Sequence, residues 1–234
     1  MYKFNAFLAN LGIEILSTIS GYKNLYLLKS NNTQPILGKH INKYTRISIP
    51  AIKDAYEKLQ TVNCESSVSI KHIFELDGEL CIVMEYVDWS NLNKYMKEKY
   101  FPKMDFNMRE FRRIFRNIAH AIDKLHTHNL IHGDVHGLNI LINEKFEIKI
   151  IDFDFAFIGG DKSDIDSYKS MDILRYNSLL FEFIFEQIYL NERYNLFSNS
   201  DAKEKKEHFS KIELQHKTFN SCLDVYSNIF GVNS

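Results

Sequence analysis

The run Ile131-His132-Gly133-Asp134-Val135-His136-Gly137-Leu138-Asn139-Ile140-Leu141-Ile142, followed by Lys149-Ile150-Ile151-Asp152-Phe153-Asp154, constrains this chain more than any other stretch. It sets an Asp, an Asn five residues on and a second Asp thirteen beyond that, with apolar, strand-forming runs between them. A site for phosphate and magnesium needs such a set. Mg²⁺ takes oxygen ligands, and a carboxylate and an amide supply them beside a nucleotide's own phosphates. The remaining Asp is then placed to accept or orient the proton of an attacking hydroxyl.

At 234 residues the chain exceeds the usual size of a single core, so two lobes or one large domain both fit. Charge is nearly balanced, 29 Lys+Arg against 30 Asp+Glu, and no global field argues for nucleic acid or an anionic membrane as partner. Cys64, Cys81 and Cys222 are odd in number and widely spaced, which disfavours a disulfide framework and a zinc site. No apolar run approaches the ~18 residues of a membrane span, and no basic region leads into an apolar core at the N-terminus. A soluble, cytoplasmic protein is expected.

The loop H-G-D-x-H-x-x-N with I-D-F-D after it resembles the protein kinase superfamily, whose catalytic loop carries H-R-D with an Asn further on and whose metal motif is D-F-G. His132, Asp134 and Asn139 fall on the first motif, Asp152 and Phe153 on the second. Gly133, His136 and Asp154 depart from it, standing where the family usually has Arg, Lys and Gly. In these departures the loop is similar to aminoglycoside phosphotransferases, lipopolysaccharide kinases and atypical protein kinases. The resemblance implies a catalytic Asp134 and a metal held by Asn139 and Asp152. A glycine at 133 cannot receive an activation-loop phosphate as an arginine does, so independence from such phosphorylation is expected.

The N-terminal half fits the small sheet of that family, an α+β, bilobal fold with a mainly helical, truncated second lobe. Ile13–Ile19 and Asn24–Lys29 predict two strands across a turn at Ser20-Gly21. Aligning Leu25-Tyr26 with the family's glycine-rich phosphate cover puts Thr18, Ser20 and Lys23 at its glycine positions. Ser20 and Gly21 are therefore candidate phosphate contacts, with an ordinary hairpin as the alternative. Gln34–Ile41 predicts the next strand and puts Lys39 at the family's phosphate-binding lysine. Lys53 competes by letters, yet Ser48-Ile49-Pro50 opens a helix that would carry it. On that helix Glu57 is expected to hold Lys39, or else to serve as an exposed neighbour of Lys53 or Thr61. Val68–Leu76 and Glu79–Glu85 predict a hairpin over Asp77-Gly78. The hairpin leads into Glu85-Tyr86-Val87-Asp88, which resembles a hinge whose Glu85 and Val87 backbone groups meet adenine, with Met84 behind. The implied division is an N-lobe over 1–84, a hinge over 85–88 and a C-lobe over 89–234.

In the second half, Phe111, Ile114, Phe115, Ile118, Ala119, Ile122 and Leu125 mark one apolar face of a long helix from Arg109 to His128. Its polar face carries Arg112, Arg113 and Arg116, either solvated or a binding patch. A helix from Ser170 to Phe183 places Asp172 where the family braces its catalytic loop. Between Asp152 and Asp172 the segment is very short and has no A-P-E, as in haspin-like, KEOPS-type and small-molecule kinases. The I-D-F-D form is similar to kinases of large DNA viruses. Asp201–His208 reads as a charged surface stretch.

The resemblance thus implies an atypical serine/threonine protein kinase with Asp134, Lys39 and Glu57 in catalysis. ATP with Mg²⁺ or Mn²⁺ would be its cofactors and a protein with a Ser or Thr acceptor its substrate. Neither membrane nor nucleic acid is an expected partner, and the cytoplasm, or a host's cytoplasm for a pathogen's protein, is the expected location. Two alternatives stand beside it: a small-molecule or lipopolysaccharide kinase, and a nucleotide-binding pseudokinase scaffold.

Overall fold

A computed structural model describes residues 2–21, 24–30, 34–100, 107–193 and 219–231. The chain divides into two compact units, Met1–Asp88 with Phe153–Ala156, and Trp89–Asp152 with Phe157–Ser234.

The first unit is a five-stranded antiparallel sheet in the order β1-β2-β3-β5-β4. Its strands are β1 (Ile13–Thr18), β2 (Leu25–Ser30), β3 (Pro35–Ile41), β4 (Ile70–Leu76) and β5 (Glu79–Glu85). Asp77 and Gly78 both take positive φ, the geometry of a tight two-residue hairpin, and close β4 onto β5. Strand β5, flanked by β3 and β4, is buried from Leu80 to Met84.

Helix α1 (Tyr2–Asn10), which the sequence reading did not anticipate, covers the sheet with Phe4 and Leu8, one turn apart. They pack with Ile13, Tyr26, Leu28, Cys81 and Val83. Gly38 makes room for this contact: a Cβ there would meet Leu28 Cδ1 at 2.7 Å and Phe4 Cζ at 3.1 Å. Helix α2 (Ile49–Val62) starts with Pro in its first turn and stops at Asn63, whose left-handed backbone donates to Leu59 O. Its buried face is Ile52, Ala55, Tyr56 and Leu59, spaced i, i+3, i+4, i+7.

The second unit is organised on α4 (Met108–Thr127). Asn107 caps it through Arg109 N and Glu110 N. The seven apolar residues that marked its predicted face are each 1% exposed or less. Before it come β6 (Ser90–Asn91) and α3 (Leu92–Tyr95), which continues as a π-turn over Met96–Tyr100. After it come β7 (Leu130–Ile131), β8 (Ile140–Ile142), β9 (Ile148–Ile150) and β10 (Phe157–Ile158), paired as β6-β8-β9 and β7-β10.

Helix α5 (Lys162–Arg193) begins well before the Ser170 read from sequence. Asp161 starts it, accepting from Ser163 N and Asp164 N at 2.9 and 3.0 Å. Helix α6 (Cys222–Phe230) is tied to α4 by Asp123, whose two carboxylate oxygens accept from Cys222 N and Leu223 N.

On the polar face of α4, the Arg112 guanidinium lies 5.2 Å over the Phe230 ring and that of Arg113 5.3 Å over Phe146. Aromatic packing thus accounts for two of the arginines. The charged stretch Asp201–His208 lies outside the described residues. Among the described residues no helix is long and apolar enough to cross a membrane.

Candidate active site

The loop between β7 and β8 is held from beneath by one buried carboxylate. Asp172 of α5 is fully buried. Its Oδ2 accepts from His132 N at 2.8 Å and its Oδ1 from Gly133 N at 2.8 Å. His126 Nε2 lies 3.0 Å from the same Oδ2. Gly133 stands at φ +74°, a left-handed backbone that glycine adopts without penalty.

His132, also fully buried, bridges the loop to the end of β9. Its Nε2 donates to Ile151 O at 2.9 Å, and its Nδ1 accepts from Asp134 N at 3.1 Å. Burial pushes the imidazole pKa below its ordinary value, which keeps the ring neutral. Protonating Nδ1 would turn an acceptor into a donor facing a donor. The unfolded chain binds this proton near pH 6.5 and the folded chain only at lower pH, so the stability the neutral ring contributes is lost as pH falls below ~6.5. Urea titrations between pH 7 and 5 should therefore show a steeper decline in wild type than in His132→Phe. Parallel declines would refute this coupling.

Asp134 is gripped on both oxygens. Arg175, one turn after Asp172 on α5, reaches Oδ1 through Nη1 at 2.6 Å. Oδ2 receives Asn139 Nδ2 at 3.2 Å and His136 Nε2 at 3.2 Å. The His136 tautomer follows from its other nitrogen, which accepts from Leu138 N. Sequence reasoning missed Arg175. The available signal was its i+3 spacing from Asp172, which puts both on one helix face.

Asn139 is 7% exposed and donates through Nδ2 to Asp134 O as well as to its carboxylate. With the amide nitrogen committed, the amide oxygen is the atom it has for a cation. Ile140 pairs with Ile150 across β8 and β9, and Ile151 N donates to Asn139 O at 3.0 Å. The same strand pairing therefore carries Asn139 at one strand end and Asp152 just beyond the other. Asp152 is exposed at φ +66°, a strained backbone for a residue with a side chain. Among the described residues no three His, Cys, Asp or Glu side chains form a metal cage. One carboxylate and one amide fit a hard cation whose remaining ligands come from phosphate and water.

The first unit carries the other predicted residues. Lys39 lies on β3 opposite Ile82, 7% exposed, and its Nζ is 2.7 Å from Asp154 Oδ1. The same Oδ1 accepts from Tyr56 OH at 3.0 Å, and the Tyr56 oxygen receives Phe153 N at 3.3 Å.

Glu57, expected to hold Lys39, is exposed on α2, one residue past the buried Tyr56. Successive helical residues turn by about 100°, so burial of Tyr56 points Glu57 away. Lys53 is on α2, as its letters in context suggested, and pairs with Glu75 at 3.0 Å.

Glu85 ends β5, with its N–H on Ser69 O and its Oε1 receiving Ser69 N, and Val87 is half-buried in the irregular segment that follows. Met84 is buried and pairs with Leu37. Ser20 and Gly21 form an exposed turn after β1, with Gly21 at φ +85° and open space around it. Lys23 lies outside the described residues.

Residues 24–173 match the family model of the protein kinase domain. Among curated proteins, the rat NUAK family SNF1-like kinase 2 is 32% identical over 102 residues, 44% of this chain and 16% of that one. A putative serine/threonine-protein kinase/receptor R831 of Acanthamoeba polyphaga mimivirus is 35% identical over 86 residues, 36% of this chain and 5% of that one. The chain thus spans a small fraction of the length of these relatives. Among solved structures, the Cydia pomonella granulovirus kinase PK-1 superposes with a TM-score of 0.60 at 19% identity, covering 78% of this chain and 75% of that one. That likeness concerns the fold: an antiparallel sheet unit and a helical unit.

Proposed function

Because the chain belongs to the protein kinase domain family, we propose that it is an atypical serine/threonine protein kinase that uses ATP with Mg²⁺ or Mn²⁺ and works in the cytoplasm. The observation that carries this reading is Asp134, a half-exposed carboxylate fixed on both oxygens by Arg175, Asn139 and His136. A carboxylate so oriented suits an acceptor hydroxyl, whose proton it takes or directs while the oxygen attacks. Phosphoryl transfer asks mainly for positioning and charge neutralisation.

Asn139 and Asp152 would hold the divalent cation, which when bound neutralises phosphate charge. Lys39 would bind phosphate oxygens. The backbones of Glu85 and Val87 would meet adenine, and the turn at Ser20-Gly21 would lie at the phosphates. The likeness to proteins named as serine/threonine kinases, such as the mimivirus protein, favours a protein acceptor.

One observation favours a second reading. Helix α5 starts at Lys162, directly after β10 and the Gly159-Gly160 turn, and leaves little chain for a peptide-docking platform. A small-molecule acceptor is consistent with that economy. Mass spectrometry of products from a protein panel and from a sugar and aminoglycoside panel, each with ATP and Mg²⁺ or Mn²⁺, separates the two. Phosphate on serine or threonine supports the first reading, phosphate on the small molecules alone supports the second, and no transfer to either defeats both.

Arg175→Ala should lower kcat by roughly 10- to 100-fold, with KM for ATP little changed, because it frees the acceptor-side carboxylate without touching the nucleotide groups. Arg175→Lys should recover part of the loss. A rise in KM for ATP at constant kcat would contradict this role.

A further inference from the structure

We propose that Asp154 is the positioning residue for Lys39, taking from the Asp152-Phe153-Asp154 segment the task that a glutamate on α2 was expected to perform. The proposal rests on the reading that Lys39 binds nucleotide phosphate. Three observations carry it.

First, the Lys39 ammonium is almost wholly buried, and Asp154 meets it at 2.7 Å with a side chain itself only 21% exposed. A charge-assisted contact so shielded from water fixes the lysine far better than a surface pair does.

Second, the carboxylate is oriented from the core. Tyr56, 1% exposed, donates to Asp154 Oδ1 at 3.0 Å and accepts from Phe153 N, with its ring edge-on to Phe153 at 6.4 Å. Phe153 is fully buried. The aspartate is thus held by two neighbours that cannot move without disturbing packing.

Third, the alternative partner is turned away. Bringing Glu57 inward needs α2 to rotate by about 100°. That would carry Ile52, Ala55, Tyr56 and Leu59 out of the core they fill.

Two consequences follow. Lys39 is aligned without any movement of α2, and its alignment is set by the tripeptide that also bears Asp152. A contact of this kind also has a contrary reading, in which Asp154 withholds Lys39 from phosphate. The test decides between them.

Affinities for MgATP and for adenosine, which lacks phosphates, would be measured by titration calorimetry on wild type, Asp154→Ala, Asp154→Asn, Lys39→Met and the Asp154→Ala/Lys39→Met double variant, with thermal melts to confirm folding. The expected result is roughly tenfold weaker MgATP binding in Asp154→Ala with adenosine binding unchanged, a smaller loss in Asp154→Asn, and a double variant no worse than Lys39→Met alone. Unchanged or tighter MgATP binding in both Asp154 variants overturns the proposal, as does an equal loss for adenosine.

Should Asp154→Ala fail to fold, Asp154→Asn decides by the same comparison. Because binding is read rather than turnover, a chain that shows this pattern without transferring phosphate loses the kinase reading and keeps the proposal. A wild type that binds no MgATP loses both.

Discussion

Asp134→Asn is expected to lower the proposed phosphoryl transfer by about a thousandfold or more, within the range that positioned acid–base groups contribute. The amide is isosteric, so the fold should survive, but it cannot take a proton, and the 2.6 Å ion pair with Arg175 is reduced to a contact between a charge and a neutral amide. Asp152→Asn should be as severe by a different route, because a neutral amide replaces the carboxylate proposed to hold the cation. The two defects separate kinetically. Raising Mg²⁺ or Mn²⁺ should recover part of the Asp152→Asn loss and none of the Asp134→Asn loss. Initial rates against metal concentration, with melts to confirm folding, make the comparison, and undiminished turnover in either variant removes its assigned role.

The second large effect is on stability. Asp172→Ala strips the acceptor from the buried His132 N and the half-buried Gly133 N and leaves the buried His126 facing a void. Each buried donor left without an acceptor costs about 1–3 kcal/mol, and removing a buried charged partner typically costs about 3–5 kcal/mol. A net loss of about 4 kcal/mol is expected, which for a protein of this size lowers Tm by about 10 °C. Differential scanning calorimetry reads this directly. A shift under 2 °C would show that Asp172 is not the brace the geometry describes.

Much of the scaffold was legible because its signals are local. Asp77-Gly78 between two β-branched runs specifies a hairpin, and the seven apolar residues of α4 repeat at helical spacing and are all buried. Asp134 and Asn139 were legible as a pair because a short loop between two strands brings residues of that spacing together.

What escaped depends on rotation and on distant partners. Periodicity shows that α2 is a helix, yet whether Tyr56 or Glu57 faces inward turns on a single residue. The set Ile52, Ala55, Tyr56, Leu59 carried the answer. Asp154 read as a departure from a motif and gave no hint of Lys39, because no local pattern couples a β3 lysine to a residue over a hundred positions later. The early start of α5 was hidden because its first turns, around Asp164 and Asp166, are polar and mostly exposed, so no apolar period marks them. Helix α1 offered Phe4, Phe7 and Leu8 within nine residues, too short a pattern to stand out.

Helix α5 carries Asp172, which seats the backbone of the loop, and Arg175, which aims its carboxylate, one turn apart on a single rigid rod. A loop wired to one helix keeps its seat and its aim together, so both are gained or lost as that helix forms or frays.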